Sequence, residues 1–344
     1  MAESIESLGE FGLIDRIAKQ TTTQQPTTVR GIGDDCAVIA QSEGKQKVVT
    51  TDLLLEGIHF DLTYCPLKHL GYKAVAVNLS DVCAMNARPQ QITVSIGVSG
   101  KFTLKAIDDL YDGIRLACQR YGVDLVGGDT TSSLTGLTIS ITAIGEQLPQ
   151  RIAYRDGARP NDIICVSGDL GAAYAGLQLL EREKRVLKGN NSAPPALDGY
   201  KYILERQLKP EPRQDIVEFL EKIDVVPTAM MDVSDGLSSE LMHICQQSGT
   251  GCRVYEDRVP IHQETKTLCA ELNINPIVAA LNGGEDYELL FSIRQEDYQK
   301  FQSIPGPEIY AIGYVCEKDK GSRLITTSGD EAELQAQGWR FFTN

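Results

Sequence analysis

The sequence predicts a protein of two domains, each mixing strands and helices, in an α+β or α/β architecture divided near residue 150. Three observations carry this. At 344 residues the chain exceeds the ~250–300 at which one hydrophobic core stops growing. Strand-like and helix-like patterns occur in both halves. Between them runs a stretch rich in turn formers, Arg151 to Asp162, which contains Asp156-Gly157 and Arg159-Pro160-Asn161-Asp162.

In the first half, residues 12–20 and Phe102 to Tyr121 repeat apolar residues at three- and four-residue steps, as amphipathic helices do. Lys47 to Leu53, Gln91 to Val98, Val123 to Val126 and Leu137 to Ile144 read as strands bounded by Gly, Asp and Ser. In the second half, Ile163 to Val166 reads as a strand and Leu170 to about Glu183 as a helix. Lys188 to Gly199 carries two prolines and reads as a loop. Arg213 to Ile223 is helical, Ala229 to Val233 a strand, and Gly236 to Gln247 a helix closed by Gly249. Glu288 to Ile293 and Ile309 to Val315 complete the strands.

Composition narrows the function. With 47 acids against 33 bases the net charge is −14, which disfavours a nucleic-acid surface because a phosphate backbone needs a basic footprint. An anionic nucleotide would be repelled as well, so a phosphate site here needs divalent cations held by carboxylates. No segment approaches the ~18 consecutive apolar residues of a membrane span. The opening Met1-Ala2-Glu3-Ser4-Ile5-Glu6 has acids where a signal peptide has bases, and a cytoplasmic location is expected. Nine cysteines, odd in number and never spaced Cys-x-x-Cys, argue for buried thiols over disulfides or zinc.

The informative feature is a set of acid-bearing strings: Gly31-Ile32-Gly33-Asp34-Asp35, Thr50-Thr51-Asp52, Asn78-Leu79-Ser80-Asp81, Gly127-Gly128-Asp129-Thr130, Asp232-Val233-Ser234-Asp235-Gly236, and Asn282-Gly283-Gly284-Glu285-Asp286-Tyr287-Glu288. Taken singly, each suits a turn or a helix cap. Taken together, they follow apolar runs such as Val48-Val49 and Met230-Met231 that read as buried strands, and ligands gather at the ends of such strands. Two carboxylates about 4 Å apart repel by roughly 4 kcal/mol at an effective dielectric near 20, so four or more in one cleft require cations among them. Mg²⁺, which prefers carboxylate, water and phosphate oxygens, meets that need.

Other nucleotide signatures are missing. Ser42-Glu43-Gly44-Lys45-Gln46 lacks the first glycine and the hydroxyl of a P-loop, Gly31-Ile32-Gly33 lacks the third glycine of a dinucleotide loop, and no Asp-Phe-Gly occurs. The four histidines, His59, His69, His243 and His262, stand in no nucleophile-elbow context. His59, seven residues past Asp52, could reach the same cleft or serve packing alone. Trp339, the single tryptophan, reads first as core or interface filler and second as a functional contact.

With Gly9-Glu10-Phe11, the six strings and Gly338-Trp339 laid side by side, the chain resembles the thiamine-monophosphate kinase family of the aminoimidazole-ribonucleotide-synthetase-like superfamily over nearly its whole length. The resemblance implies an N-terminal domain (1–150) with a mixed sheet and helices that pairs with its twin in a homodimer, and a C-terminal α/β domain (151–344). It implies ATP and thiamine monophosphate as substrates, several Mg²⁺ ions, and direct transfer of the γ-phosphoryl group without a phosphoenzyme.

By position, the resemblance makes Asp35, Thr50, Thr51, Asp52, Asp81, Asp129, Asp232 and Asp235 the Mg²⁺ ligands, with Asp52, Asp81 and Asp129 nearest the chemistry. Tyr111, Gly128, Asp129, Arg155 and Ser234 match nucleotide-contacting positions. His59, Glu285 and Trp339 match acceptor-site positions. The nearest rivals are other ATP enzymes of the superfamily, aminoimidazole ribonucleotide synthetase or selenophosphate synthetase. The latter calls for a reactive Cys in the N-terminal segment, and residues 1–30 contain none. A non-catalytic cation-binding module is a rival of another class, though a Ca²⁺ loop packs its ligands into about twelve residues and these acids span both halves.

Overall fold

A computed structural model describes residues 28–30, 34, 37–40, 44–189 and 197–336. The expected helix at 12–20, the loop residues 190–196, Asp35 and Gly338-Trp339 lie outside the described residues.

The N-terminal half is one sheet under two helices. Strands β1 (Thr28–Arg30), β2 (Ala37–Ala40), β3 (Gln46–Leu55), β4 (Arg88–Val98), β5 (Asp124–Ser132) and β6 (Thr138–Gln147) form it in the order β1-β2-β3-β6-β4-β5. Its neighbours run antiparallel except β4 and β5, which are parallel. Burial alternates residue by residue along β6, as expected for a sheet with one covered face. Helices α1 (Leu67–Ala84) and α2 (Leu104–Tyr121) supply the cover. They cross so closely that a Cβ on Gly71 would lie 2.0 Å from the Leu110 carbonyl oxygen, and one on Gly113 1.9 Å from that of Lys68.

Helix α1 escapes the sequence reading, and its environment explains why. Every residue from Leu70 to Ser80 is buried, so the helix has no polar face to mark a period. One side packs on α2, β3 and β6, and the other on two strands of the second half, Ala229–Asp232 and Leu289–Ile293. It is the element the two halves share.

The second half carries a sheet of β7 (Ile163–Ser167), β8 (Ala229–Asp232), β9 (Thr250–Tyr255), β10 (Leu289–Ile293), β11 (Ile309–Glu317), β12 (Ser322–Ile325) and β13 (Glu331–Glu333), ordered β13-β12-β9-β11-β7-β10-β8. All of its pairs are antiparallel except β9 with β12, which makes α+β the fitting description of this half too. Around it lie α3 (Ala172–Gly189), α4 (Lys201–Leu208), α5 (Gln214–Lys222), α6 (Leu237–Ser248), α7 (Gln263–Glu271), α8 (Pro276–Asn282) and α9 (Gln295–Ser303). The described cysteines are free and buried, as the scattered spacing suggested. Among the described residues no helix is long and apolar enough to cross a membrane.

Candidate active site

The β3 strand alternates, so Val48, Thr50, Asp52 and Leu54 turn toward α1 while Thr51 and Leu53 turn away. The Thr50 hydroxyl donates to Asp81 Oδ2 at 2.6 Å, and the Asp52 backbone N–H donates to Asn78 Oδ1 at 3.0 Å. Asn78 is fixed in turn by donating to the Ala74 carbonyl at 3.0 Å. Asn78 and Asp81 are three apart and therefore neighbours on one face of α1. Ser80, on the adjoining face, donates to Asp232 Oδ2 at the end of β8 across 2.5 Å. A single buried helix thus links carboxylates from both halves of the chain.

Beyond β8 the chain turns at Ser234 and Asp235 into α6, and the Gly283–Glu288 segment folds against it. Glu285 N–H donates to the Ser234 carbonyl at 2.7 Å, Tyr287 N–H to the Val233 carbonyl at 2.9 Å, and Val233 N–H to the Glu288 carbonyl at 2.8 Å. Contact this close needs glycine at 284, where φ is +71° and a Cβ would lie 2.4 Å from the Ser234 carbonyl. Glu285 and Tyr287 also adopt left-handed φ values of +60° and +52°, a strained conformation for residues with side chains.

Residues of the segment alternate in direction. Asp286 turns inward and accepts from the Gly171 and Ala173 N–H groups that begin α3. Buried Glu288 accepts from Ser167 Oγ at 2.6 Å and is flanked by Arg206, at 3.0 Å, and by Arg213. Glu285 and Tyr287 face a cavity of about 450 Å³, whose lining also includes His59, Phe60, Tyr64, Ser234 and Asp235. Burial pushes the Tyr287 hydroxyl well above its ordinary pKa, and the charges of Glu285, Asp52, Asp232 and Asp81 push it further.

His59 lines the cavity with its Nδ1 accepting from the Leu55 N–H at 3.0 Å, so the proton of the neutral ring sits on Nε2. Burial lowers its pKa against the opposing pull of Glu285. Asp235 is raised by burial, while the Arg155 guanidinium draws it down. Arg155 also donates its backbone N–H to Asp34 Oδ1 at 3.0 Å, which ties the first acidic string to this end of the cleft. Glu240, fully buried, accepts from the Asp235 N–H at 2.8 Å, and burial raises its pKa well above the carboxylate range.

His59, Ser234, Asp235 and Glu285 therefore line one cavity, and α1, whose Lys73 also lines it, links Thr50, Asp52, Asp81 and Asp232. Several expected residues stand elsewhere. The Thr51 hydroxyl donates to the Ile141 carbonyl on the far face of the sheet and pairs with Thr142, so its side chain is turned from the acids. Asp129 and Gly128 lie on β5, exposed along its whole length at the opposite edge of the sheet from β1. Strand spacing puts β5 about 14 Å from β3. Tyr111 packs against the N-terminal core. Asp35 and Trp339 lie outside the described residues. Asp129 also stands inside β5, which runs on past the strand expected at Val123 to Val126, whereas Asp52 lies within β3 as read.

Lys73, Gln207 and Tyr287 went unselected in the sequence. The one available signal for Lys73 is a charge interrupting the apolar run from Leu70 to Val77.

The family models for AIR synthase related protein match residues 33–147 (N-terminal domain) and 159–325 (C-terminal domain), which fixes the class of protein. Thiamine-monophosphate kinase of Bacillus subtilis is 35% identical over 339 residues, covering 97% of this chain and 100% of the relative. A solved structure described as AaThiL complexed with AMPPCP and TMP superposes with a TM-score of 0.82 at 33% identity, over 99% of this chain and 100% of that one. The thiamine monophosphate kinase structure from Aquifex aeolicus gives a TM-score of 0.74 at 32% identity, over 94% and 98%. The chain belongs to the thiamine-monophosphate kinase family.

Proposed function

We propose that the protein transfers the γ-phosphoryl group of ATP directly to thiamine monophosphate, forming thiamine diphosphate and ADP. The observation that carries this is the linkage of Asp52, Asp81 and Asp232 through one helix, α1, whose Lys73 lines a cavity beside Glu285 that is large enough for a small acceptor. The related complex with an ATP analogue and TMP supports the choice of substrates.

The acceptor is itself a phosphate, ionised near pH 7, so the chain needs no strong base to create the nucleophile. One acceptor oxygen attacks the γ-phosphorus in line, the bond to the bridging oxygen breaks, and ADP leaves with that electron pair. What the chain contributes is placement and charge. Ser234 and Arg155 would hold the nucleotide phosphates, with Tyr111 and Gly128 as further nucleotide contacts. His59 and Glu285 would contact the acceptor, with Trp339 as its third contact.

The donor set fits Mg²⁺: the carboxylates of Asp52, Asp81, Asp232 and Asp235 and the Thr50 hydroxyl are hard oxygen ligands, with Thr51, Asp129 and Asp35 completing the proposed set. Among the described residues no three acidic, His or Cys groups close around one ion, so phosphate oxygens and water would complete each shell. Bound there, the ions would neutralise charge developing on the transferred group.

The proposal extends to a cytoplasmic homodimer with domains 1–150 and 151–344. Its support is the uncovered face and edge of the N-terminal sheet, where Leu53 is 52% and Val126 57% exposed. In such a dimer Asp129, remote from the acids of its own chain, would serve the partner's cleft.

An ADP-release assay with ATP, Mg²⁺ and thiamine monophosphate, with free thiamine as control, tests the assignment. Turnover confined to the monophosphate is expected. Activity with free thiamine alone would overturn the choice of acceptor.

A further inference from the structure

Two residues outside every acidic string hold Glu285 in place. Lys73 of α1 sets its Nζ 2.9 Å from Glu285 Oε1 and donates to the Gln207 carbonyl at 3.0 Å. Gln207 of α4 donates its Nε2 to Glu285 Oε2 at 2.8 Å. Lys73 and Gln207 are each only 5% exposed, and all three line the cavity. Gln207 Oε1 is buried and finds no hydrogen-bond partner among the described residues.

A buried lysine and a buried amide oxygen without a partner both cost stability, so packing alone gives no reason for them. Each carboxylate oxygen of Glu285 keeps a second lone pair after meeting its clamp, and Gln207 Oε1 keeps both of its own. Side by side they make a fixed group of acceptors, beside one further N–H on the Lys73 ammonium and one on the Gln207 amide. Such a group suits a planar heteroaromatic ring bearing an amine.

We propose that Glu285 and Gln207 read the amine-bearing ring of the acceptor and that Lys73 is the positioning residue that orients both. The inference rests on the functional reading above and adds the basis of its specificity. Helix α1 supplies a measure of length as well: Asp81 lies eight residues past Lys73, about 12 Å along the axis. The helix that orients the ring reader therefore also carries the acid at the phosphate end. Clamping Glu285 before binding removes the rotamer freedom that an unsupported side chain would lose on meeting the ligand.

A double-mutant cycle of Lys73→Met with Glu285→Gln tests this, with thiamine monophosphate binding read by calorimetry beside steady-state kinetics. Lys73→Met is expected to raise KM for thiamine monophosphate by about tenfold to a hundredfold, while KM for ATP moves by less than about threefold. Lys73→Arg should restore part of the loss. The double variant should bind no worse than Glu285→Gln alone. An analogue with a hydroxyl in place of the ring amine should be discriminated by the wild type and less so by Gln207→Leu, which also carries the test should Lys73→Met fail to fold. Independent, additive effects of Lys73→Met and Glu285→Gln would overturn the clamp alone. Absence of thiamine monophosphate binding by the wild type would overturn the functional reading and the clamp with it.

Discussion

Ser80 and Asp232, 152 residues apart in sequence, meet through a buried hydrogen bond of 2.5 Å. The bond fastens α1 to the end of β8 and fixes one oxygen of a carboxylate at the rim of the cleft. Bonds from a hydroxyl to an ionised acceptor are short and comparatively strong. Ser80→Ala is expected to lower unfolding free energy by about 2 kcal/mol and to raise the Mg²⁺ concentration for half-maximal activity. Urea denaturation and a Mg²⁺ titration of turnover read the two effects separately, and an unchanged midpoint in both would contradict the role.

Asp52→Asn and Asp81→Asn each remove one charge and keep the shape of the side chain. Turnover should fall by at least about a hundredfold with the thermal transition retained. Wild-type rates in either purified variant at ordinary Mg²⁺ would refute their place in the site.

Burial pushes the Asp286 carboxyl from its ordinary 3.8 up to about 7, against the pull of Arg206 and of the Gly171 and Ala173 N–H groups. Between those values the folded chain holds a proton that the unfolded chain has lost. The contribution of Asp286 to stability therefore declines as pH rises through that window and is level above it. Asp286→Asn should show a shallower fall in melting temperature from about pH 5 to about pH 7 than the wild type. An equal slope in the two proteins would remove Asp286 as its source.

Much of the proposed site is legible in the sequence because acids beside glycine or small residues at the edges of apolar runs have few packing reasons to exist. Asp52, Asp81, Asp232 and Glu285 are proposed on that ground. The side chain of Thr51 is set apart from those of Thr50 and Asp52 because strand alternation decides which neighbour faces α1, and the string Thr50-Thr51-Asp52 offers hydroxyls on both sides. Helix α1 hides because burial on all sides erases the period that betrays a surface helix. Gln207 hides for another reason: its meaning lies in a bond to Glu285 made 78 residues away. The exposed strand β5 keeps Asp129 from the acids of its own chain, a separation that the string Gly127-Gly128-Asp129 cannot express.

In the proposed site these carboxylates grip a triphosphate only through divalent ions. Calorimetric titration of a non-hydrolysable ATP analogue into the protein, first with EDTA and then at rising Mg²⁺, tests it most directly. Binding should be negligible without the metal and become tight as Mg²⁺ is added, with Asp81→Asn shifting the response to higher metal concentration. Equal nucleotide affinity in EDTA and in Mg²⁺ would contradict it.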